Sequence, residues 1–112
     1  MSIATKDYNC LQNILESVTK IDNYIEAFKT ADELYQESKS FDAVLMNFIV
    51  IGEMAEKLSE NFKQNSSHID WLNIKGFRNI IAHHYFGIDA EEVWEIIHND
   101  ISNLKIELEK IL

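Results

Sequence analysis

The sequence contains no proline and only three glycines, Gly52, Gly76 and Gly87, among its 112 residues. Because proline breaks helix interiors and glycine weakens them, this scarcity favours long helices and argues against a β fold rich in turns. The only cysteine is Cys10, so no disulfide can form within the chain. We expect this side chain to pack as a small hydrophobic residue in a reducing compartment.

Long apolar runs are also missing from the sequence. The longest, residues 43–52, is interrupted by Asn47, and it falls short of the roughly 20 residues that a membrane-spanning helix needs. The first seven residues lack the charged and then apolar layout of a signal peptide. We therefore expect neither membrane insertion nor export, and the predicted location is the cytoplasm.

Positive charge is scarce, with 10 lysines and arginines against 19 aspartates and glutamates, a formal net charge of −9. Such a surface repels nucleic acids over most of its area, which is the strongest compositional argument against an RNA-binding role. An RNA-binding role would need a local positive site and would be weak, salt-sensitive and selective. A structured RNA such as tRNA fits these conditions better than RNA in general.

Hydrophobic residues make up 46% of the chain, which is enough to build the core of one domain over residues 1–112. Apolar positions recur at steps of three and four in four stretches, which predicts four long amphipathic helices. The stretches are residues 11–28, 41–62 behind a Ser40 cap, 69–81, and 93–111 behind an Asp89–Glu92 capping box. The more polar residues 31–39 are compatible with a loop or a further helix. The predicted fold class is all-α, an antiparallel bundle of four to five helices.

One dense polar cluster lies at the end of the third stretch. Residues 77–85 read Phe-Arg-Asn-Ile-Ile-Ala-His-His-Tyr, which places a cation, an amide, imidazoles and a phenol close together. Arg78 and His83 are five residues apart and diverge by about 140° on an ideal helix. A long arginine side chain, a loosened last turn, or a second copy of the helix across a two-fold interface can each bring them together. His83 lies near the predicted helix end, where the helix dipole favours imidazolium and suits proton exchange near neutral pH.

The spacing of arginine, four residues, histidine, one residue and tyrosine resembles the HepT-type form of the HEPN ribonuclease motif. It is matched by Arg78, His83 and Tyr85, with Asn79 as the polar residue after the arginine. Family members often carry a proline before a tryptophan and another in the last helix, and both are absent here, which affects helix geometry and leaves the motif intact. The surrounding pattern from about Phe41 onward is also similar, in Ile51-Gly52-Glu53, Trp71, Ile88-Asp89 and Val93-Trp94.

The resemblance implies a metal-independent endoribonuclease without a cofactor, acting as the toxin of a type VII-like toxin–antitoxin pair. Arg78 would stabilise charge on the phosphate, and His83 would act as general base or acid on the ribose 2′-hydroxyl. Asn79 and Glu53 would have supporting roles. The implied partner is an MntA-type nucleotidyltransferase antitoxin, which inhibits the toxin by transferring AMP to Tyr85. The implied assembly is a homodimer formed through the motif-bearing helices.

Plainer interpretations exist for these residues. Arg78 can be a surface ion-pair partner of Glu53, which is otherwise a solvated charge. Tyr85 can be an amphipathic residue at a helix end, with its ring buried and its hydroxyl in water. For the whole chain, the alternatives are a non-catalytic subunit that binds a nucleotidyltransferase as its protein substrate or targeting partner, and a structural bundle without a site.

The remaining histidines and tryptophans carry no separate functional prediction. His84 and His98 lack a second ligand at metal-binding spacing, so no metal site is predicted. Trp71 and Trp94 have no basic residues interleaved with them, which makes them core or interface anchors rather than platforms for stacking bases.

Overall fold

A computed structural model describes residues 3–84 and 87–112 of the chain, with the backbone alone at residues 83 and 84. Within these ranges the regular secondary structure is entirely helical, which confirms the predicted all-α class. The helices are α1 Thr5–Ile25, α2 Ala31–Gln36, α3 Ser38–Lys57, α4 Glu60–Asn65, α5 Trp71–Lys75, α6 Phe77–His84, α7 Ala90–Ile96, a π-helical segment Ile97–Ile101, and α8 Ser102–Ile111.

Helices α1 and α3 form the centre of the molecule. Their apolar stripes are buried as the sequence predicts, and Leu11, Val18 and Phe48 are fully inaccessible to solvent. The two helices run antiparallel, because the beginning of α1 lies against the end of α3. Asp7 near the start of α1 accepts hydrogen bonds from Ser59, which directly follows the α3 C-cap residue. The remaining helices pack around this pair.

The second apolar stretch does not form one helix, contrary to the sequence prediction. Helix α3 begins earlier, at Ser38, and ends at Lys57, because Leu58 has an extended backbone. Ser59 then starts α4, since its hydroxyl accepts a hydrogen bond from the Phe62 amide at 3.1 Å. The buried Asp7 carboxylate accepts hydrogen bonds from the Ser59 amide and hydroxyl, at 2.8 and 2.7 Å. The carboxylate that stabilises the break is distant in sequence. The local apolar period therefore does not predict the break.

The third stretch is also divided, at Gly76, between α5 and α6. The Gly76 amide donates to the carbonyl oxygens of Leu72 and Asn73, both at 3.1 Å, which closes α5. The Gly76 carbonyl then accepts from the Asn79 amide at 3.0 Å in the first turn of α6. Leu72 lies within the apolar stretch predicted from the sequence but is 79% exposed, so it does not belong to the buried stripe. Ile69, Phe77 and Ile81 of the same stripe are buried.

The last helix begins where the sequence predicts. The Asp89 carboxylate caps α7 by accepting a hydrogen bond from the Glu91 amide at 2.9 Å. The helix continues through the π segment into α8, and its apolar stripe is buried. In the π segment, the Asp100 carboxylate accepts a hydrogen bond at 3.1 Å from the Asn73 side chain of α5. This contact ties the last helix to the part of the chain that precedes α6.

Two further predictions concern single elements. The polar stretch after α1 contains a short helix, α2, whose first turn is capped by the Thr30 hydroxyl. Cys10 is buried, as predicted for a small hydrophobic residue. In the part of the chain that the structure describes, no helix has both the length and the apolar character to cross a membrane.

Candidate active site

Arg78 lies in the first turn of α6, where this helix is in close contact with α3. The contact is at Gly52, since a Cβ atom placed there would lie only 3.0 Å from both the Cβ and the backbone nitrogen of Arg78. It would also lie 3.1 Å from the carbonyl oxygen of Lys75. One turn earlier on α3, Phe48 packs on Phe77 with ring centroids 5.5 Å apart. The absence of a side chain at Gly52 therefore lets the arginine approach α3 closely.

The guanidinium of Arg78 contacts two carboxylates of α3. Its Nη1 atom lies 2.7 Å from Glu53 Oε1 and 2.9 Å from Glu56 Oε2. The three side chains are 31%, 40% and 42% exposed, in that order, so the group lies at the edge of the solvent. The predicted pairing of Arg78 with Glu53 is confirmed. Glu56 was not predicted, although its position three residues after Glu53 places it on the same helix face.

The electrostatics of this group favour the charged forms. The hydrogen bond to Glu53 is the main cause of a raised pKa for Arg78, and the charge of Glu56 adds to it. The same hydrogen bond is the main cause of a lowered pKa for Glu53. One guanidinium between two carboxylates has a net charge of +1 − 2 = −1. Within this group the positive charge of Arg78 is therefore already neutralised.

The other predicted site residues are only partly described. Asn79 follows Arg78 in α6, and its side chain is exposed. The backbone of His83 belongs to α6, which is helical through His84, but the side chains of both histidines lie outside the described residues. Tyr85 lies outside them entirely. The structure thus brings together Arg78 and Glu53, and the positions of the His83 and Tyr85 side chains stay predictions.

A regular α6 has a consequence for the motif. Because the helix is α-helical from Phe77 to His84, the ideal divergence of about 140° applies to Arg78 and His83. The Arg78 side chain, moreover, is directed towards α3 by its two carboxylate partners. Of the three ways to bring the two residues together, a loosened last turn is therefore the one that the observed backbone does not provide.

Trp71 and His98 have structural partners. Trp71 is buried and donates a hydrogen bond from Nε1 to the Ser66 hydroxyl at 2.9 Å, which confirms it as a core anchor. His98 lies against Trp94, with ring centroids 4.4 Å apart and its Nδ1 2.9 Å from the Trp94 carbonyl oxygen. Across residues 3–84 and 87–112, excluding the side chains of residues 83 and 84, no three histidine, cysteine, aspartate or glutamate residues cluster as metal ligands.

The fold and the site define an all-helical protein with an arginine presented at the edge of its central helix pair. The family described as "Ribonuclease HepT-like" matches residues 14–111, and the chain belongs to this family. This confirms the resemblance drawn from the motif and its flanks. No solved structure matches the chain.

Relatives in archaea are similar over most of this chain. A "Gamma-glutamylcyclotransferase and putative RNase" of Methanocaldococcus jannaschii is 35% identical over 91% of the chain, but the match spans only 46% of that relative. A "Putative RNase" of the same organism is 33% identical over 91% of the chain and 84% of the relative. A "Probable ribonuclease HepT" of Thermococcus cleftensis is 30% identical over 99% of the chain and 98% of the relative.

Proposed function

We propose that the chain is a metal-independent endoribonuclease and the toxin of a HepT/MntA-type toxin–antitoxin pair, with Arg78 and His83 as its catalytic residues. Membership of the HepT-like family supports the ribonuclease activity. The observation that carries the proposal is Arg78 itself. It is held at the protein surface by α3 at the first position of the arginine–histidine–tyrosine motif.

The proposed chemistry is an attack by the ribose 2′-hydroxyl on the adjacent phosphorus. The 2′-oxygen gives up its proton to a base as its bond to phosphorus forms, and the bond from phosphorus to the 5′-oxygen breaks as that oxygen gains a proton. His83 serves one of these proton transfers as general base or acid. Arg78 stabilises the charge that accumulates on the phosphate oxygens. Asn79 is exposed beside Arg78 and orients the substrate or the histidine.

Glu53 has a supporting role in this proposal. Its short hydrogen bond restrains a long side chain that would otherwise sample many rotamers, so less entropy is lost when the phosphate binds. The expected substrate is a structured RNA such as tRNA. An acidic surface weakens any binding that depends only on the charge of the RNA backbone, so recognition must also use the shape of the RNA. The proposed assembly is a homodimer whose motif-bearing helices meet at the interface.

Inhibition is proposed to occur at Tyr85, by transfer of AMP from ATP to its hydroxyl by an MntA-type nucleotidyltransferase. The tyrosine oxygen attacks the α-phosphorus of ATP, and pyrophosphate leaves. The added negative charge, on the sequence motif that also contains Arg78, would repel an RNA phosphate. Intact-mass measurement after incubation with ATP and the cognate enzyme should show added adenylyl mass, and its absence would count against this form of regulation.

The nuclease proposal is tested by assaying the purified chain on tRNA and on unstructured RNA in the presence of EDTA. Replacing a charge-stabilising group or a general acid–base group typically costs about 100-fold or more in rate, so Arg78→Ala and His83→Ala should each reduce cleavage by at least that factor. Lys20→Ala is the matched control, because it removes an exposed cation that pairs with Glu16 on α1. Its cleavage rate should stay within about twofold of the wild type.

Two outcomes would contradict the nuclease proposal. One is cleavage by Arg78→Ala at the wild-type rate. The other is a pure chain that cuts no RNA and does not inhibit growth when it is expressed alone. The second outcome would favour the non-catalytic subunit that binds a nucleotidyltransferase through the same surface.

A further inference from the structure

We propose that Glu56 occupies the place of an RNA phosphate on Arg78 and must leave it before RNA binds, so that this residue limits the affinity of the chain for its substrate. The inference rests on the proposed function, because it assigns a regulating residue to the same site. It concerns an anion within the chain that competes with the anion of the substrate.

The guanidinium of Arg78 already has two carboxylate partners. Both carboxylates are bound to the same nitrogen, Nη1, at 2.7 Å for Glu53 and 2.9 Å for Glu56. The Glu53 contact is a hydrogen bond, whereas the Glu56 contact is an ion pair that places a second carboxylate oxygen against the same nitrogen. Bidentate binding of phosphate at the Nη1–Nη2 end brings a phosphate oxygen to Nη1. Two carboxylate oxygens already lie against that atom, so one of them must leave first.

The group formed by Arg78, Glu53 and Glu56 is negatively charged. With both carboxylates in place the site has a net charge of −1, and a phosphodiester with the same sign of charge is repelled. Once one carboxylate turns away, the guanidinium and the remaining carboxylate are neutral together. The phosphate then meets no net repulsion from this group, and it can take the place that the carboxylate has left against Nη1.

Several features identify Glu56 as the carboxylate that leaves. It makes the longer of the two contacts, which is an ion pair alone, whereas Glu53 also accepts a hydrogen bond from Nη1. It lies next to Lys57, the last residue of α3, where the negative end of the helix dipole disfavours an acidic side chain. Glu53, by contrast, directly follows Gly52 at the closest approach of α3 to α6. Its release would free the arginine from that contact.

Glu56→Gln is the variant that tests this inference, because it removes the competing charge and keeps the shape of the side chain. The substitution changes the net charge of the chain by one unit. Glu16→Gln makes the same change on another helix, so it serves as the matched control. Glu16 is an exposed glutamate on α1 that pairs with Lys20 rather than with Arg78. Thermal melting of both variants checks that they fold.

The measurement is the Kd for a 2′-O-methyl oligoribonucleotide, which lacks the attacking hydroxyl and binds without being cut. Glu56→Gln should bind about three- to tenfold more tightly than the wild type, the effect of about 1 kcal/mol expected for removing one like charge near the protein surface. Glu16→Gln should change the Kd by less than twofold. The advantage of Glu56→Gln should shrink as KCl is raised from about 50 to 500 mM, because salt screens exposed charges.

The outcomes separate this inference from the nuclease proposal, because binding is measured without cleavage. A wild-type chain that binds the oligonucleotide but cuts no RNA would contradict the nuclease and leave the Glu56 test intact. The Glu56 inference is overturned if Glu56→Gln binds no more tightly than the wild type, if Glu16→Gln gains equally, or if no variant binds. It survives only when the gain is specific to the Arg78 site.

Discussion

At the scale of single residues, the group formed by Arg78, Glu53 and Glu56 joins the fold to the proposed chemistry. Arg78 is at once an ion-pair partner and the first residue of the arginine–histidine–tyrosine motif predicted from the sequence. The two interpretations weighed from the sequence are therefore compatible, because a carboxylate that holds a guanidinium in place can also prepare it for a phosphate. The stability of this pair is open to measurement by titration.

The pH dependence of stability should reveal the pair of Arg78 and Glu53. The pKa of Glu53 is lowered below 4.5 chiefly by its hydrogen bond with Arg78. A carboxyl group with a lowered pKa in the folded state stabilises that state above its unfolded pKa, and the contribution is lost as the pH falls through the folded value. The free energy of unfolding of the wild type should therefore exceed that of Glu53→Gln at neutral pH. The difference should decrease as the pH falls below 4.5 and disappear once the pH is below the lowered pKa of Glu53 in the folded state.

Denaturant unfolding of both proteins at a series of pH values makes this measurement. The difference should be small and should decrease with added salt, because the group is exposed to solvent. The control is the same pair of proteins in an Arg78→Ala background, where the difference above pH 4.5 should collapse because its main cause is gone. A difference that does not vary with pH would contradict the assignment.

The sequence predicted part of this group. Glu53 was found because it follows Gly52 in a family-like segment, but Glu56 was not. The spacing of three places Glu56 on the same face as Glu53, yet the chain carries 19 acidic residues. The spacing does not indicate which of them contacts Arg78, since that contact depends on the crossing of α3 and α6.

At the scale of helices, the crossing of α3 and α6 depends on Gly52. Gly52→Val should destabilise the fold by about 1–3 kcal/mol, because the new side chain would overlap the backbone of α6 where even a Cβ has only 3.0 Å. It should also reduce RNA cleavage, since Arg78 moves with the backbone of α6. Chemical denaturation and the RNA assay measure the two effects.

Met46→Val is the control for Gly52→Val, because it places the same β-branched residue at an exposed position of the same helix. It should change the free energy of unfolding by less than about 0.5 kcal/mol, the usual range for surface substitutions. If Gly52→Val is as stable and as active as Met46→Val, the close packing at Gly52 does not position Arg78.

The sequence predicted the positions of some helices but missed the breaks that divide two of the predicted stretches. Local patterns located α1, which ends at Ile25 rather than at the predicted Phe28, and the start of the last helix at Asp89, because a local stripe or a local cap defines each of them. The breaks at Leu58 and Gly76 were missed, because apolar residues recur on both sides of each break. The Leu58 break is fixed by Asp7, a residue distant in sequence, and no local pattern reports such a contact.

At the scale of the molecule, the proposed active site depends on whether Arg78 and His83 come from one subunit or from two. They diverge on one regular helix, and Arg78 is directed towards α3, which supports a site that combines residues from two copies of the chain. Mixing the inactive Arg78→Ala and His83→Ala variants should then restore cleavage, because a mixed dimer contains one intact site. With random exchange of subunits, about a quarter of the wild-type rate is expected.

The control for subunit mixing is a mixture of Arg78→Ala with the double variant Arg78→Ala/His83→Ala, which contains no intact arginine and should stay inactive. Size-exclusion chromatography with light scattering should show the proposed dimer for the wild type and for each variant. Recovery below a few per cent of the wild-type rate, in samples proven to have exchanged subunits, would place Arg78 and His83 in the same subunit and contradict the shared site.

The π-helical segment Ile97–Ile101 bears on the number of residues that the last helix holds. A single π turn accommodates one more residue than the α-helix that it interrupts. The apolar stripe nevertheless stays buried on both sides of it, at Val93 and Leu104. Removing one residue from this segment should therefore leave the same core with an unbroken helix.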